Sequence, residues 1–500
     1  MAAKSSEGSR DMRKAMDEQM RFGEVDISQI VIDPRLRDEI PQLLRGLQHI
    51  YSSPELRGKV FAILEAEVAR RASAGRGRPG MDLWKVLVLG VLRLNCDWDF
   101  DKLQFMAETN VMIANFLGHA QGPFGELKAR YPAQTLRDNL AIMTPEALER
   151  ISKVVVDAGH ASFKKKEDEL FGKCDSYVLE INAHFPTDLS LLFDAVRKAV
   201  EIAADIADGI GSSIWRQSAH NVEKARALFN KARRASRFKG KDDGARFKDA
   251  CADYIAHAEE MVSRALATLT SAPAHPKTAG ASRFAAHAML QIDQMRRRLL
   301  GGETIPHDEK VFSVFEEHTE WISKGKAGKP QELGVRVCVL QDQLGFILHH
   351  KVMWKMTDEK VAVEVTERAK ELFDLLRGCS YDKGFHSPEA QERIKKIIDE
   401  VVLPKKGKLN EAEKARESSA EFVAARKAHP AIESAINALE NHGLDRCPDR
   451  GVDALERYVA WGVLGRNLQI LGAKLAEGER KTKGRRAVAF AVPATPPLAA

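Results

Sequence analysis

Apolar and polar positions change period twice along the chain. Residues 1 to about 165 carry a helical pattern. Within it, Met81–Leu94 is apolar nearly all round and predicts a buried helix. Ahead of it, Gly75-Arg-Gly-Arg-Pro-Gly80 reads as a turn-rich basic link, and Thr144 can cap a helix that has Pro145 at its first position. Such short helices suit either a helix-turn-helix or a plain bundle, and periodicity does not separate the two. The pattern changes at Cys174. In Tyr177–Phe185 the odd positions are apolar while Glu180, Asn182 and His184 share the other face, which predicts a strand closed by Pro186-Thr-Asp188. From Leu189 to about Leu300 the pattern is helical again.

Strand character returns at Lys310–Phe315 and Leu333–Leu340, then at Gly345–His350 after a hairpin turn at Gln341-Asp-Gln343. A helix over Asp358–Phe373 leads into an apolar run (Leu375, Leu376, Cys379, Tyr381) that stops at Asp382-Lys-Gly384, and Ser387-Pro388-Glu389 opens another helix. A further helix begins at Pro430. Its Ile432, Ala435, Ile436 and Leu439 follow the core spacing, and Gly443 suits its C-terminal cap. The last helix is predicted over Ala454–Leu475, and the tail after Gly478, basic and then Ala/Pro-rich, reads as disordered. The sum is an α+β or α/β multidomain chain. Residues 1–165 form a helical region, 166–475 a mixed region interrupted by a helical basic insertion at about 189–305, and 476–500 a tail.

With 500 residues, 44% of them apolar, the chain can bury a large core in two or three domains. No run of 18 apolar residues predicts a membrane span, and the polar N-terminus has no signal-peptide core. Six dispersed cysteines without a CxxC pair read as reduced thiols, so the expected compartment is the cytoplasm. The net charge of +6 hides an uneven distribution: Arg216–Lys248 holds eleven Lys or Arg against three acids, with Phe229, Phe238 and Phe247 between them. Such a run is either a solvated helix face or a footprint for nucleic-acid phosphates, with Arg233, Arg234 and Arg237 among the contacts.

Three acids stand at useful places. Asp175 begins the first strand, Asp382 ends a later one, and Glu433 lies on the first turn of the Pro430 helix, at the border of its buried face. Asp382 and Glu433 each have an ordinary reading, a turn and an acid favoured by the helix dipole. Together they suit phosphoryl transfer, because carboxylates from two strands and a helix can converge on two hard cations that activate an attacking oxygen and stabilise a leaving one.

Several segments occur in an order that resembles a known family. They are Asp175–Leu192, Lys324-Gly-Lys326 with Glu332-Leu-Gly334, Tyr381-Asp-Lys-Gly-Phe385, His429–Cys447 and Gly465-Arg-Asn467, behind a front end containing Gly77-Arg-Pro79 and Thr135-Leu136. Over about residues 10 to 475 the chain resembles insertion-sequence transposases with a DDE triad on an RNase H-like core, most closely the group called ISNCY. The resemblance implies an RNase H-like mixed sheet, a helical end-DNA-binding region, and Asp175, Asp382 and Glu433 as the catalytic, metal-binding triad, served by two Mg²⁺ or Mn²⁺ ions. It implies DNA partners, the inverted repeats ending the element and a target, held by a homo-oligomer, with no membrane. Related transposases carry Tyr-x2-Arg-x3-Glu-x6-Lys around the last acid, whereas here His429 and Glu440 occupy the Arg and Lys positions. Arg426, Lys427 or His429 would then meet the phosphate, and Lys324, Lys326 and Lys329 either grip DNA or decorate a hairpin. Asp188 and Glu180 are rival first acids; Asp188 suits a helix cap, and Asp175 is preferred. The alternatives are a transposase-derived DNA-binding protein that no longer cuts and an RNase H-like nuclease without strand transfer.

Overall fold

Seven strands frame the candidate chemistry: β1 (Leu170–Ile181), β2 (Glu320–Ser323), β3 (Gln331–Gln341), β4 (Ile347–Met353), β5 (Leu376–Tyr381), β6 (Glu400–Val402) and β7 (Arg446–Cys447). The computed structural model describes residues 14–16, 19–20, 22–71, 80–120, 122, 126–127, 129–165, 168–237, 243–323 and 331–489. They fall into two compact units, Met1–Glu180 with Val335–Ala500, and Ile181–Gly334. The fold is mixed, with an open sheet among many helices. Among the described residues no helix is long and apolar enough to cross a membrane.

In the first unit β1 is central. β3 and β4 lie on one side of it and β5 and β6 on the other, while the short β7 also pairs with β1. β3 and β4 are antiparallel and joined by a tight turn, in which Asp342 Oδ1 accepts from the backbone N–H of Leu344 and Phe346, both at 2.9 Å. Gly345 takes φ +94° there, the left-handed region that glycine enters without a Cβ clash. β1, β5 and β6 are mutually parallel, which requires crossovers, and the helix Pro388–Ile394 lies between the last two. β1 spans Leu170–Ile181, earlier than the expected Tyr177–Phe185, because its first half alternates Lys173 and Asp175 with buried Gly172 and Cys174.

The helices before residue 165 share this unit. Every residue of Leu83–Asn95 except Lys85 is buried, as the all-round apolar pattern predicts, and Thr144 Oγ1 caps Pro145–Phe163 through the N–H of Ala147. The last helix, Val452–Ala489, runs past the expected end at residue 475. Gly478 does not stop it, because the Glu477–Lys481 pair at 2.6 Å and an Arg45–Glu479 ion pair support that stretch; residues 490–500 lie outside the described residues. The helix Glu39–Ser52 packs on it at two glycines. A Cβ on Gly472 would strike the carbonyl oxygen of Gln42, and one on Gly46 that of Leu468. Asn467, fully buried on the same helix, accepts from Ile347 N and donates to Ile347 O and Ser152 Oγ, each at 2.9 Å, so it binds the start of β4.

The second unit is a helical bundle. The predicted 189–300 stretch resolves into Asp188–Gly209, Ser218–Ala235, Asp243–Ser271 and Thr278–Met295, the last continued by a wider turn over Arg296–Leu300. Thr187 and Ser190 form a capping box at its start, so Thr187, not Asp188, is the cap. Alanine-rich faces close the core around Tyr254, and Trp215 is buried with its Nε1 donating to Thr268 Oγ1 at 2.9 Å. The expected strand Lys310–Phe315 does not form. Its alternating apolar residues are used otherwise, Val314 and Phe315 packing on the helical core and Phe312 on Trp321.

Candidate active site

Strand register brings the first two acids together. β1 runs parallel to β5 with Gly172, Lys173 and Cys174 beside Cys379, Ser380 and Tyr381, so Asp175 and Asp382 each follow the last registered pair. Cys174 and Tyr381 are buried, and alternation sends the next side chains, Asp175 and Asp382, to the opposite face. Asp175 is half-buried and Asp382 is exposed. Asp382 also caps a short 3₁₀ turn over Lys383–Phe385, as the ordinary turn reading expects.

Glu433 stands on the first turn of Ala431–Leu439, and the four predicted core positions, Ile432, Ala435, Ile436 and Leu439, are all buried beneath it. The turn before it carries His429, whose Nδ1 lies 3.0 Å from Ser380 Oγ. That contact ties the start of the Glu433 helix to β5, on the face from which Asp382 projects. Burial lowers the His429 pKa, with Lys173 acting the same way, while the carboxylates of Asp382 and Glu433 oppose the shift.

The electrostatics single out Asp175. Burial first, and then the neighbouring carboxylates of Asp382, Asp358 and Glu433, push its pKa up to about 6, although the Ser176 N–H at 2.7 Å favours the charged form. Two predicted acids placed far from Asp175 in sequence therefore act on it in the fold.

Two further residues belong to this group. Asp358, at the first position of the helix Asp358–Leu372, accepts from Ser176 Oγ at 3.0 Å and pairs with the Arg336 guanidinium at 3.4 Å. A Cβ on Gly384 would stand 3.6 Å from Asp382 Oδ2 and 3.7 Å from Asp358 Oδ2, so both carboxylates face the same small volume. In the sequence Asp358 looks like any acid in a first helical turn. Lys173 lies two residues before Asp175 on the same strand face, and burial lowers its pKa. That spacing was the one available signal for it.

Among the remaining expected residues, Arg426 and Lys427 are exposed on the last turn of Ala420–Ala428, immediately before His429. Arg233, Arg234 and Arg237 are exposed at the end of Ser218–Ala235 and just beyond it, in the second unit. Lys324, Lys326 and Lys329 lie outside the described residues. Asp188 pairs with Arg298 at 2.6 Å in the second unit, which accounts for its charge there.

The donor chemistry suits a hard divalent cation, since it offers carboxylate oxygens whose mutual repulsion a cation would relieve. Their positions are looser than that chemistry: among the described residues no three His, Cys, Asp or Glu side chains form a ready ligand set. Burial is the larger cause of the raised Asp175 pKa, and the repulsion added to it acts over a longer range than coordination, so both observations stand. No family model, curated protein or solved structure matches this chain.

Proposed function

We propose that the protein is a DNA transposase of the DDE type, whose first unit carries out metal-dependent phosphoryl transfer at Asp175, Asp382 and Glu433. The observation that carries the reading is the β1–β5 register, which sets Asp175 beside Asp382, with the Glu433 carboxylate acting on the same group. A mixed sheet with its first strand central, an antiparallel pair on one side and parallel strands on the other, supports the RNase H-like core that the resemblance implies. The basic run of the second unit and the order of the sequence motifs support DNA as substrate.

Asp175, Asp382 and Glu433 would hold the cations, with Asp358 kept nearby by Ser176 and Arg336. When bound, two Mg²⁺ or Mn²⁺ ions supply Lewis-acid polarisation of the phosphodiester and a nucleophilic oxygen at neutral pH. The chain's own part is positioning. Strand pairing fixes two carboxylates, His429 ties the helix of the third to Ser380, and Lys173 offers a cation on the same strand face for a phosphate oxygen.

Purified protein is incubated with Mg²⁺ and labelled DNA from the borders of its own gene, beside Asp382→Asn. Cleavage and joining by the wild type, with at least a hundredfold loss in the variant, is the expected result. Cutting without joining would make it a nuclease. Equal binding by both proteins with no cutting would make it a transposase-derived DNA-binding protein and return Asp382 to the role of a turn.

A further inference from the structure

The second unit contains a cavity of about 430 Å³ that has no part in the carboxylate group. It is large enough for a small organic ligand. One wall is aromatic. Phe185 meets Trp321 edge-on at 5.4 Å between ring centroids, Trp321 lies 5.7 Å from Phe312, and Phe312 lies 5.2 Å from the His307 ring. These contacts do not bury the cluster: Phe185 remains 62% exposed, a large apolar ring held at the surface.

The polar lining holds Lys310 together with Arg298 and Asp188, the last two paired with each other. Lys310 is exposed and has no ion-pair partner among the described residues, and Arg298 keeps part of its guanidinium exposed beside Asp188. Gln294, buried in the same lining, commits its Nε2 to the carbonyl of Glu309 at 2.7 Å, so its amide oxygen is the remaining acceptor. A purely apolar ligand has no use for the cations, and a simple anion has none for four rings.

We propose that this cavity binds an unpaired nucleobase together with its phosphate, the base stacking on Phe185 and Trp321 and the phosphate meeting Lys310. Aromatic faces stack any base, and nearby cations follow the backbone, which is how single strands are held without sequence preference. The eleven basic residues of Arg216–Lys248 in the same unit give the charge that a strand would need. Trp215, immediately before that basic stretch, is buried and cannot stack a base. The inference rests on the nucleic-acid reading above. Its test is run without divalent cation and reads binding alone, so its failure and a failure of cleavage are told apart.

The full-length protein is titrated with a short single-stranded oligonucleotide carrying one 2-aminopurine, with the same strand carrying an abasic site there, and with dAMP. Stacking should quench the 2-aminopurine, and the abasic strand should bind more weakly. Phe185→Ala should weaken binding roughly 5- to 100-fold, as expected for the loss of one stacked base. Lys310→Ala should lower the slope of log affinity against log salt by about 0.7, as for one phosphate contact on a single strand. That second, exposed variant keeps the test valid if Phe185→Ala fails to fold. Competition by dAMP would assign the site to free nucleotides, and its absence to strands. Equal affinity for intact and abasic strands, or wild-type binding by a folded Phe185→Ala protein, would overturn the proposal.

Discussion

Asp175→Asn should make the metal-free protein more stable at neutral pH while destroying its expected chemistry. Burial and three neighbouring carboxylates raise the Asp175 pKa from its ordinary 3.8 to about 6. At about 1.4 kcal/mol per tenfold change in proton affinity, the charged form costs the folded state about 3 kcal/mol. The sign follows from linkage. A carboxyl whose folded pKa lies above its unfolded one favours folding in its protonated form, so that stability is present below about pH 4 and lost as pH rises through 6. Asparagine is neutral throughout and keeps an oxygen to accept the Ser176 N–H, which bonds Asp175 at 2.7 Å. Denaturation in EDTA should show similar midpoints for the two proteins near pH 4 and a more stable variant at pH 7.5, by up to about 3 kcal/mol. Mg²⁺ should then raise the wild-type midpoint and leave the variant nearly unmoved, since only a cation bound by the folded state stabilises it. A variant less stable than wild type at pH 7.5, or a difference independent of pH, would refute the clustering of these carboxylates.

Two packing predictions test the frame around the site. Gly472→Ala places a Cβ against the carbonyl of Gln42 and should force the two helices apart, lowering stability by about 1–3 kcal/mol by calorimetry with no change in the Mg²⁺ response. Asn467→Ala removes three hydrogen bonds and leaves the Ile347 N–H and carbonyl unpaired in a buried place. A loss of about 2–4 kcal/mol in urea denaturation is expected, with faster amide exchange at the start of β4.

The legible part of this chain was the part with strong local patterning. Ile432, Ala435, Ile436 and Leu439 placed Glu433 because a helical stripe with one buried side leaves little freedom. Asp382 was found because an apolar strand stopping at a turn is a local signal. β2, β6 and β7 were missed because they are only four, three and two residues long and are specified by their partners. Lys310–Phe315 misled because period-two alternation also serves an extended segment laid across helices. Asp358 was invisible, and Lys173 carried only its two-residue spacing from Asp175, for a different reason. Their places in the group depend on pairings between segments, and no local pattern records those.

The pairing of β1 with β5 also determines where this chain can change in length. Side chains alternate, so adding or deleting one residue between Phe171 and Asp175 would turn Asp175 toward the buried side and bring an apolar neighbour to its place. The whole of Ile181–Gly334 leaves after that pairing and finishes inside β3, so the length of chain between the two strands is free of the constraint. Insertions and deletions among related chains should therefore gather on the far side of Glu180 and be absent from the few residues ahead of Asp175.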